Sequence, residues 1–292
     1  KEIGPVETKK LLTVRDIADE YIIPAESLQT YMYLSNPKVS YVDICEFIAF
    51  MEGGIYDFEI TKDNSSLIIS FSVLIPEELW GFYETDVYTY EMTFNSLTNT
   101  VYFSDFDFIS VMNVPMQTEY ESQLEVSRQE IEDPDPSVEI DLSFYGFEIV
   151  ESDDEFYIPL FLANLFLAGT YINVYEMNNI VYVFDNFSDT TNLTKKFTYN
   201  NSFLIGDIKT EAKNYLALFF DYFYGLKKHK RVSTYTTVLN RYGFDEATSF
   251  SDYHDKLAQF FNDQDDLHTS IITGGYMDKS SVYYNEGNKM DR

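Results

Sequence analysis

The sequence has almost no cysteine. Cys45 is the only one in 292 residues, and a single thiol excludes an internal disulfide framework and a zinc site built from several cysteines. Its neighbours Ile44, Phe47 and Ile48 are apolar, and buried free cysteines behave as small hydrophobic residues. We therefore expect Cys45 to lie in the core.

Positive charge is also scarce. The chain has 20 Lys and Arg residues against 49 Asp and Glu, which gives a net charge of -29. Such a surface repels phosphate backbones and anionic lipids, so we expect no nucleic-acid partner and no binding to membrane surfaces. The one basic cluster, residues 227–231, is typical of a helix end, where cations complement the helix dipole.

Long hydrophobic runs are absent as well. No stretch approaches the ~20 apolar residues that a membrane-spanning helix needs, so we expect no membrane span. No secretory signal peptide is visible, yet the chain begins with Lys1 rather than Met. We expect that a segment upstream of Lys1 has been removed, which is compatible with secretion.

Several catalytic motifs are missing too. The sequence contains no GxSxG, HExxH or CxxC and no glycine-rich phosphate loop, so we expect neither a metal nor a cofactor. Only three histidines occur. His229 lies in the basic cluster and His254 lies on the polar side of a predicted helix, so both are expected at the surface.

Core-forming residues, in contrast, are abundant. Hydrophobic residues make up 45% of the chain and aromatics 17%, with 25 Tyr and 25 Phe. This composition excludes an intrinsically disordered protein and is sufficient for a substantial core.

Two segments resemble each other at a constant offset of 116 residues. They are "YVDICEFIAFMEGGIYDFEI" from Tyr41 and "YIPLFLANLFLAGTYINVYE" from Tyr157. The matching pairs are Tyr41 and Tyr157, Ile44 and Leu160, Phe50 and Phe166, and Gly53 and Gly169. Each segment predicts an extended lead-in, a short helix capped by Asp43 or opened by Pro159, a glycine stop and two strands. The alternative is a chance similarity between two amphipathic segments.

These patterns predict an α+β fold. Two β-rich modules, each a short helix plus β-hairpin strands, would occupy residues 1–125 and 126–206, and a small helical segment would occupy residues 207–292. The acidic stretch 119–141 between the two copies contains two prolines and predicts an exposed linker. It lacks the alternating spacing and the glycine of a calcium-binding loop.

The helical segment contains two stretches with a family resemblance. "FFDYFYGLKKHK" (219–230), followed by "FFNDQDDLHTSII" (260–272), resembles the start of the catalytic domain in S41-family serine peptidases, the tail-specific and tricorn-like group. Asp265, Asp266, His268 and Thr269 match the "DDGHT"-like element of that family, and Leu267 departs from its glycine. The resemblance implies that His268 is the general base, with Asp265, Asp266 and Thr269 in supporting positions. The alternative is a loop histidine bonded to its own backbone.

The same resemblance requires a serine nucleophile that this chain lacks. In the family, that serine lies in a glycine- and serine-rich element well downstream of the histidine, and nothing after His268 resembles it. We therefore expect the rest of the peptidase domain to lie beyond Arg292 and the present chain to be inactive alone.

The two modules resemble the small β-rich repeat at the front of many secreted bacterial proteins, including the N-terminal domain type of copper amine oxidases. The resemblance covers about residues 28–75 and 140–186, and neither range contains histidine, so no copper chemistry is expected. It implies an extracellular or cell-surface location in a bacterium.

Together these features predict a non-catalytic N-terminal accessory region of a secreted or surface S41-like serine peptidase, with a peptide or protein substrate. The alternative is a stand-alone surface protein whose β-rich modules bind peptide or carbohydrate. A third reading, suggested only by the charge, is a calcium-dependent surface protein.

Overall fold

The computed structural model describes residues 6–18, 20–79, 82–113, 136–177, 179–185 and 206–266. It contains both helices and strands, arranged in two sheets and several helices, which confirms the predicted α+β class. The chain forms two compact units, residues 1–186 and 187–292. The predicted boundary between the modules, at residues 125 and 126, lies outside the described residues.

Twelve strands are described, all in the first unit. They are β1 (Val6–Asp16), β2 (Ser27–Tyr33), β3 (Asn36–Asp43), β4 (Glu59–Asp63), β5 (Ser66–Leu79), β6 (Phe82–Asn95), β7 (Thr100–Phe103), β8 (Val138–Asp141), β9 (Val150–Ser152), β10 (Glu155–Pro159), β11 (Asn173–Met177) and β12 (Ile180–Phe184). Strand β8 occupies the end of the stretch predicted as a linker, so that part of the linker prediction is wrong. Its pairing with β7 buries Ile140.

Seven helices are described. They are α1 (Ile44–Phe50), α2 (Phe108–Val111), α3 (Leu160–Leu167), α4 (Gly206–Tyr222), α5 (Lys227–Lys230), α6 (Tyr235–Leu239) and α7 (Phe250–Asn262). Short 3-10 turns occupy Leu142–Tyr145, Asn240–Tyr242 and Phe244–Glu246. No described helix has the length and apolar character needed to cross a membrane.

The strands form two sheets. The first has seven strands in the order β11-β12-β1-β2-β3-β10-β9, and only the β1–β12 pair is parallel. The second has five antiparallel strands in the order β4-β5-β6-β7-β8. Strands from both sides of residue 125 therefore pair within each sheet.

The two similar segments meet in the first sheet. Strand β3 leads into α1, strand β10 leads into α3, and β3 and β10 are antiparallel neighbours. Val42 and Ile158, which correspond under the offset of 116 residues, are register partners. The pairing is thus symmetric under the same offset that relates the two segments in sequence.

Helix α3 lies between the two sheets. Apart from Asn164, whose side-chain oxygen accepts from the Val174 N–H at 2.6 Å, it is apolar, and it is almost entirely buried. Its residue Phe166 lies 6.3 Å from the ring of Phe94 in β6 and 6.0 Å from that of Phe103 in β7. Because a helix that is hydrophobic all round must be covered all round, both sheets contribute to one core.

A buried asparagine joins the ends of α1 and α3. The Asn113 amide donates to the carbonyl oxygens of Gly54 at 3.2 Å and Ala168 at 2.9 Å, and its oxygen accepts from the backbone N–H of Thr170 at 2.9 Å. Gly169, in the left-handed conformation at φ 75, ends α3 at this point, as predicted.

The second unit is helical and has an aromatic core. The Phe220 ring lies 4.9 Å from Tyr235 and 4.8 Å from Phe260, which joins α4, α6 and α7. The periodicity of apolar residues predicted a helical segment over residues 207–292. The Thr234 hydroxyl caps α6 by accepting from the N–H of Thr236.

Candidate functional site

Of the residues that the peptidase resemblance implies, the structure describes two. Asp265 is exposed and adopts a positive φ of 48 just after α7. Asp266 accepts a hydrogen bond from the Tyr224 hydroxyl at 3.3 Å. His268 and Thr269 lie outside the described residues. The structure therefore joins one supporting residue to the upstream aromatic stretch, and the role of His268 stays a prediction.

The other two histidines differ from each other. His229 in α5 is exposed, as predicted. His254 was predicted at the surface but is only 4% exposed. The prediction is wrong because His254 and Ala258, one turn apart on α7, are both buried, so the buried face of the helix includes the position assigned to its polar side. Burial lowers the pKa of His254, and Asp255 opposes this shift.

A second group of chemically active side chains lies in the first unit, where no motif indicated a site. Asp43, Cys45 and Glu155 each place one potential ligand atom within 4.8 Å of the others. We call these three residues the 43/45/155 cluster. Cys45 is half-buried beside two carboxylates, so its predicted place in an apolar core is wrong.

Strand register explains why these residues meet. Asp43, the last residue of β3, is the register partner of Tyr157 in β10. Glu155 lies two residues before Tyr157, so it projects from the same face of the sheet. Because β10 is antiparallel to β3, Glu155 reaches beyond the end of β3 to the first turn of α1, where Cys45 lies.

Asp43 is the buried member of the cluster. It is 3% exposed, and one of its carboxylate oxygens accepts from the backbone N–H of Glu46 at 2.8 Å, which caps α1 as predicted. The other oxygen, Oδ2, is buried and has no hydrogen-bond donor in the described part of the chain. A buried carboxylate oxygen without a donor is costly and requires an explanation.

One cation lies at the edge of the cluster. The Lys62 ammonium is 2.8 Å from Glu155 Oε2 and also donates to the Asp154 carbonyl oxygen at 2.6 Å. Glu46, on the other side, accepts from the Tyr31 hydroxyl at 2.6 Å. Three carboxylates thus share a single described ammonium partner, which leaves the site electronegative.

The ionisation of the cluster reflects this surplus of negative charge. Burial, followed by the charges of Glu155 and Glu46 and by the hydrogen bond that a protonated Asp43 makes with Glu155, raises the pKa of Asp43 to about 6 against the hydrogen bond from Glu46 N–H. Burial and the Asp43 charge raise the pKa of Cys45 to about 11. Burial and the same two carboxylates, Asp43 and Glu155, raise the pKa of Tyr157 to about 12.

This arrangement favours cation binding over nucleophilic catalysis. A reactive cysteine needs a lowered pKa, usually from a histidine or another cation, and the pKa of Cys45 is raised. Two carboxylates and a thiol are instead ligands for a divalent metal. From the sequence, only the Asp43-x-Cys45 spacing hinted at this group, and Glu155 becomes its neighbour only through strand pairing.

The second sheet presents a different surface, a two-stranded arm. Strands β5 and β6 pair over 14 residue pairs, but β4 covers only Ser66–Ser70 and β7 covers only Met92–Asn95. We call residues 71–79 and 82–90 the β5–β6 arm. Within the described ranges, no strand pairs with either outer edge of this arm.

Aromatic side chains anchor the base of the arm. The Phe71 ring lies 5.2 Å from Tyr90 on the opposite strand and 5.0 Å from Phe108 in α2. The Tyr88 hydroxyl donates to Asp105 at 2.8 Å, whereas Val87, one residue further along, is 63% exposed. The arm is therefore held at its base, and Val87 beside that base is exposed to solvent.

No protein-family model, no curated protein and no solved structure matches this chain.

Proposed function

We propose that the chain is a non-catalytic accessory region whose β5–β6 arm binds an extended segment of a protein partner as an added strand. The observation that carries this proposal is the pairing of β5 with β6 far beyond the reach of β4 and β7. Unpaired strand edges present rows of N–H and C=O groups that pair readily with another extended chain.

The stability of the arm supports this role. A two-stranded hairpin alone is marginal in water, and a third strand adds both hydrogen bonds and apolar contacts. The arm is fixed at its base by Phe71, Tyr90 and Phe108, so an incoming strand would meet a prearranged edge. The net charge of -29 favours a basic partner segment, because it attracts cations over a long range at low salt.

The experiment uses a shortened arm. In this variant, residues 74–87 are replaced by Asn-Gly, so that the register partners Val73 and Tyr88 are joined by a two-residue turn. The probe is a fluorescein-labelled peptide of alternating Lys and Val, and a peptide of alternating Glu and Val is the control. We expect the full chain to bind the Lys peptide and the shortened variant to lose most of this binding.

Hydrogen exchange separates strand addition from plain charge attraction. If the peptide pairs with the arm, amide exchange slows at residues 71–79 or 82–90, and the protection persists at moderate salt. Equal binding by both variants, or binding without protection of arm amides, contradicts the proposal.

A second candidate, the S41-like peptidase context, has one specific support. The two stretches that carry the resemblance pack together, with Phe220 5.6 Å from Phe261 and Tyr224 bonded to Asp266. We propose that a longer product of the same gene, secreted or at the cell surface, contains a serine nucleophile for which His268 is the general base.

That candidate is tested with the longer gene product and a serine-reactive fluorophosphonate probe. Labelling that weakens in His268→Ala supports it, and His229→Ala serves as the matched control because His229 is exposed. An open reading frame without a nucleophile element, or labelling unchanged in His268→Ala, contradicts it.

A further inference from the structure

We propose that Asp43, Cys45 and Glu155 form a binding site for a divalent cation of the zinc class, with Cys45 bound as a thiolate. This inference is independent of the proposed strand addition and of the peptidase context. It rests on the 43/45/155 cluster and on one further observation, the unpaired oxygen of Asp43.

The unpaired oxygen points to a missing partner. Asp43 is 3% exposed, and its Oδ2 has no donor in the described part of the chain. A ligand atom of the same carboxylate lies within 4.8 Å of one from Cys45 and one from Glu155. A cation between these three atoms would satisfy the buried oxygen and neutralise the local surplus of negative charge.

The donor set selects the class of metal. Calcium and magnesium take oxygen ligands almost exclusively, whereas thiolate sulfur favours zinc and related ions. Three protein ligands leave the fourth tetrahedral position open, as in zinc sites that also bind water or an external ligand. Two of the ligands lie on paired strands and one on the first turn of α1, so the backbone fixes their separation.

Lys62 sets the condition under which the metal binds. Its ammonium pairs with Glu155, but the Lys62 side chain is 36% exposed, so the ammonium can release Glu155 and keep its bond to the Asp154 carbonyl oxygen. Binding then exchanges one cation for another at Glu155. The thiol of Cys45 loses its proton to the solvent as the sulfur–metal bond forms, and any proton on Asp43 leaves in the same way.

The test is metal titration of the full chain. Cobalt, which has visible and charge-transfer bands that zinc lacks, is added to the protein after treatment with a chelator. We expect one cobalt ion per chain, with a sulfur-to-cobalt charge-transfer band in the near ultraviolet, and zinc should abolish this band by competition. Zinc binding is measured in parallel by calorimetry.

Four variants separate this site from general binding to acidic surfaces. Cys45→Ser should abolish the charge-transfer band and lower the affinity for zinc by about tenfold or more. Even changes to residues that only support metal ligands lower metal affinity by about 10- to 100-fold. Asp43→Asn should weaken zinc similarly while keeping the α1 cap, because asparagine caps helices as well as aspartate does. Lys62→Met should tighten zinc binding, because it removes the competing cation. Glu139→Gln, at an exposed position of β8, is the control and should leave the zinc affinity and the charge-transfer band unchanged.

Two results would overturn the inference. One is the absence of a charge-transfer band in the wild-type chain. The other is a zinc affinity that Cys45→Ser and Asp43→Asn leave unchanged, which would mean that zinc binds only to scattered surface carboxylates. Circular dichroism of each variant establishes that a loss of binding is not a loss of folding.

Discussion

Asp43 ends a strand, begins a helix and places a carboxylate where little water reaches it. One oxygen caps α1 through the Glu46 N–H, and the other has no described donor. In the absence of a cation, the charged form is therefore unfavourable, and this cost is the physical reason for its raised pKa.

This cost predicts a stabilising substitution. The folded-state pKa of Asp43 is about 6, above the ordinary value of 3.8. The charged carboxylate therefore lowers the free energy of unfolding by its full amount above about pH 6, and this destabilisation disappears below the unfolded pKa. In the presence of a chelator, Asp43→Asn should raise the free energy of unfolding at neutral pH by roughly 1–2 kcal/mol, which allows for the loss of a charged cap. Urea unfolding at neutral pH and near pH 4 measures this, and the gain should vanish at the lower pH. A destabilised variant at neutral pH would contradict it.

His254 predicts a pH dependence of opposite sign for the second unit. Burial lowers its folded-state pKa below 6.5, with Asp255 in opposition. As the pH falls, the histidine is therefore protonated in the unfolded chain before it is protonated in the folded chain. The contribution of His254 to the free energy of unfolding is complete above the unfolded pKa and is lost as the pH falls below it. We expect His254→Gln to flatten the decline in unfolding free energy between about pH 8 and pH 5. His229→Gln, at an exposed position of the same unit, is the control substitution, and a decline as steep in His254→Gln as in this control would contradict the prediction.

At the scale of elements, the turn after α3 is tightly constrained by its contacts with Asn113. Gly169 has a φ of 75, a conformation that favours glycine, and an added Cβ would collide with the side chain of Asn113. The Asn113 side chain donates to the carbonyl oxygens of Gly54 and Ala168, so it cannot move away from an added Cβ without breaking these hydrogen bonds.

Gly169→Ala should therefore destabilise the first unit by about 2–4 kcal/mol, from backbone strain and broken hydrogen bonds to Asn113. Gly225→Ala is the matched control, because a Cβ there would meet nothing within 4 Å. Thermal unfolding of both variants, followed by circular dichroism, measures the difference. Equal melting temperatures for the two variants would contradict this account of the turn.

At the scale of the whole molecule, each unit has its own core. Phe166 packs between the sheets of the first unit, and Phe220 is central to the helices of the second. Stability in such a chain is expected to reside in each unit separately.

We therefore expect residues 1–186 and residues 206–292 to fold when expressed separately. Each fragment should unfold cooperatively, since each contains a complete set of the core contacts described for its unit. Circular dichroism and denaturant titration of the two fragments and the full chain measure this. A fragment that has secondary structure but melts without a cooperative transition would contradict the independence of its core.

The helices of the second unit were the most predictable part of the fold. Their apolar residues recur at helical spacing, and Gly243, a residue type that commonly ends helices, ends the turn after α6 in the left-handed conformation. The hairpins β4–β5 and β11–β12 were also predicted, because turn residues separate apolar runs. Strands β1 and β8 were not, because β1 pairs with β12 and β8 pairs with β7, and both partners are distant in sequence.

The sequence by itself determined the class of fold, the short helix α1 with its Asp43 cap, the short helix α3, and the acidic character of the molecule. These depend on local periodicity, capping chemistry and composition, which short-range interactions decide. Tertiary structure alone decided that Glu155 lies beside Cys45 and Asp43, that His254 is buried and that no described strand pairs with the outer edges of the β5–β6 arm. Such properties depend on strand register and on what packs against a residue, and both join parts of the chain too distant for any local pattern to specify.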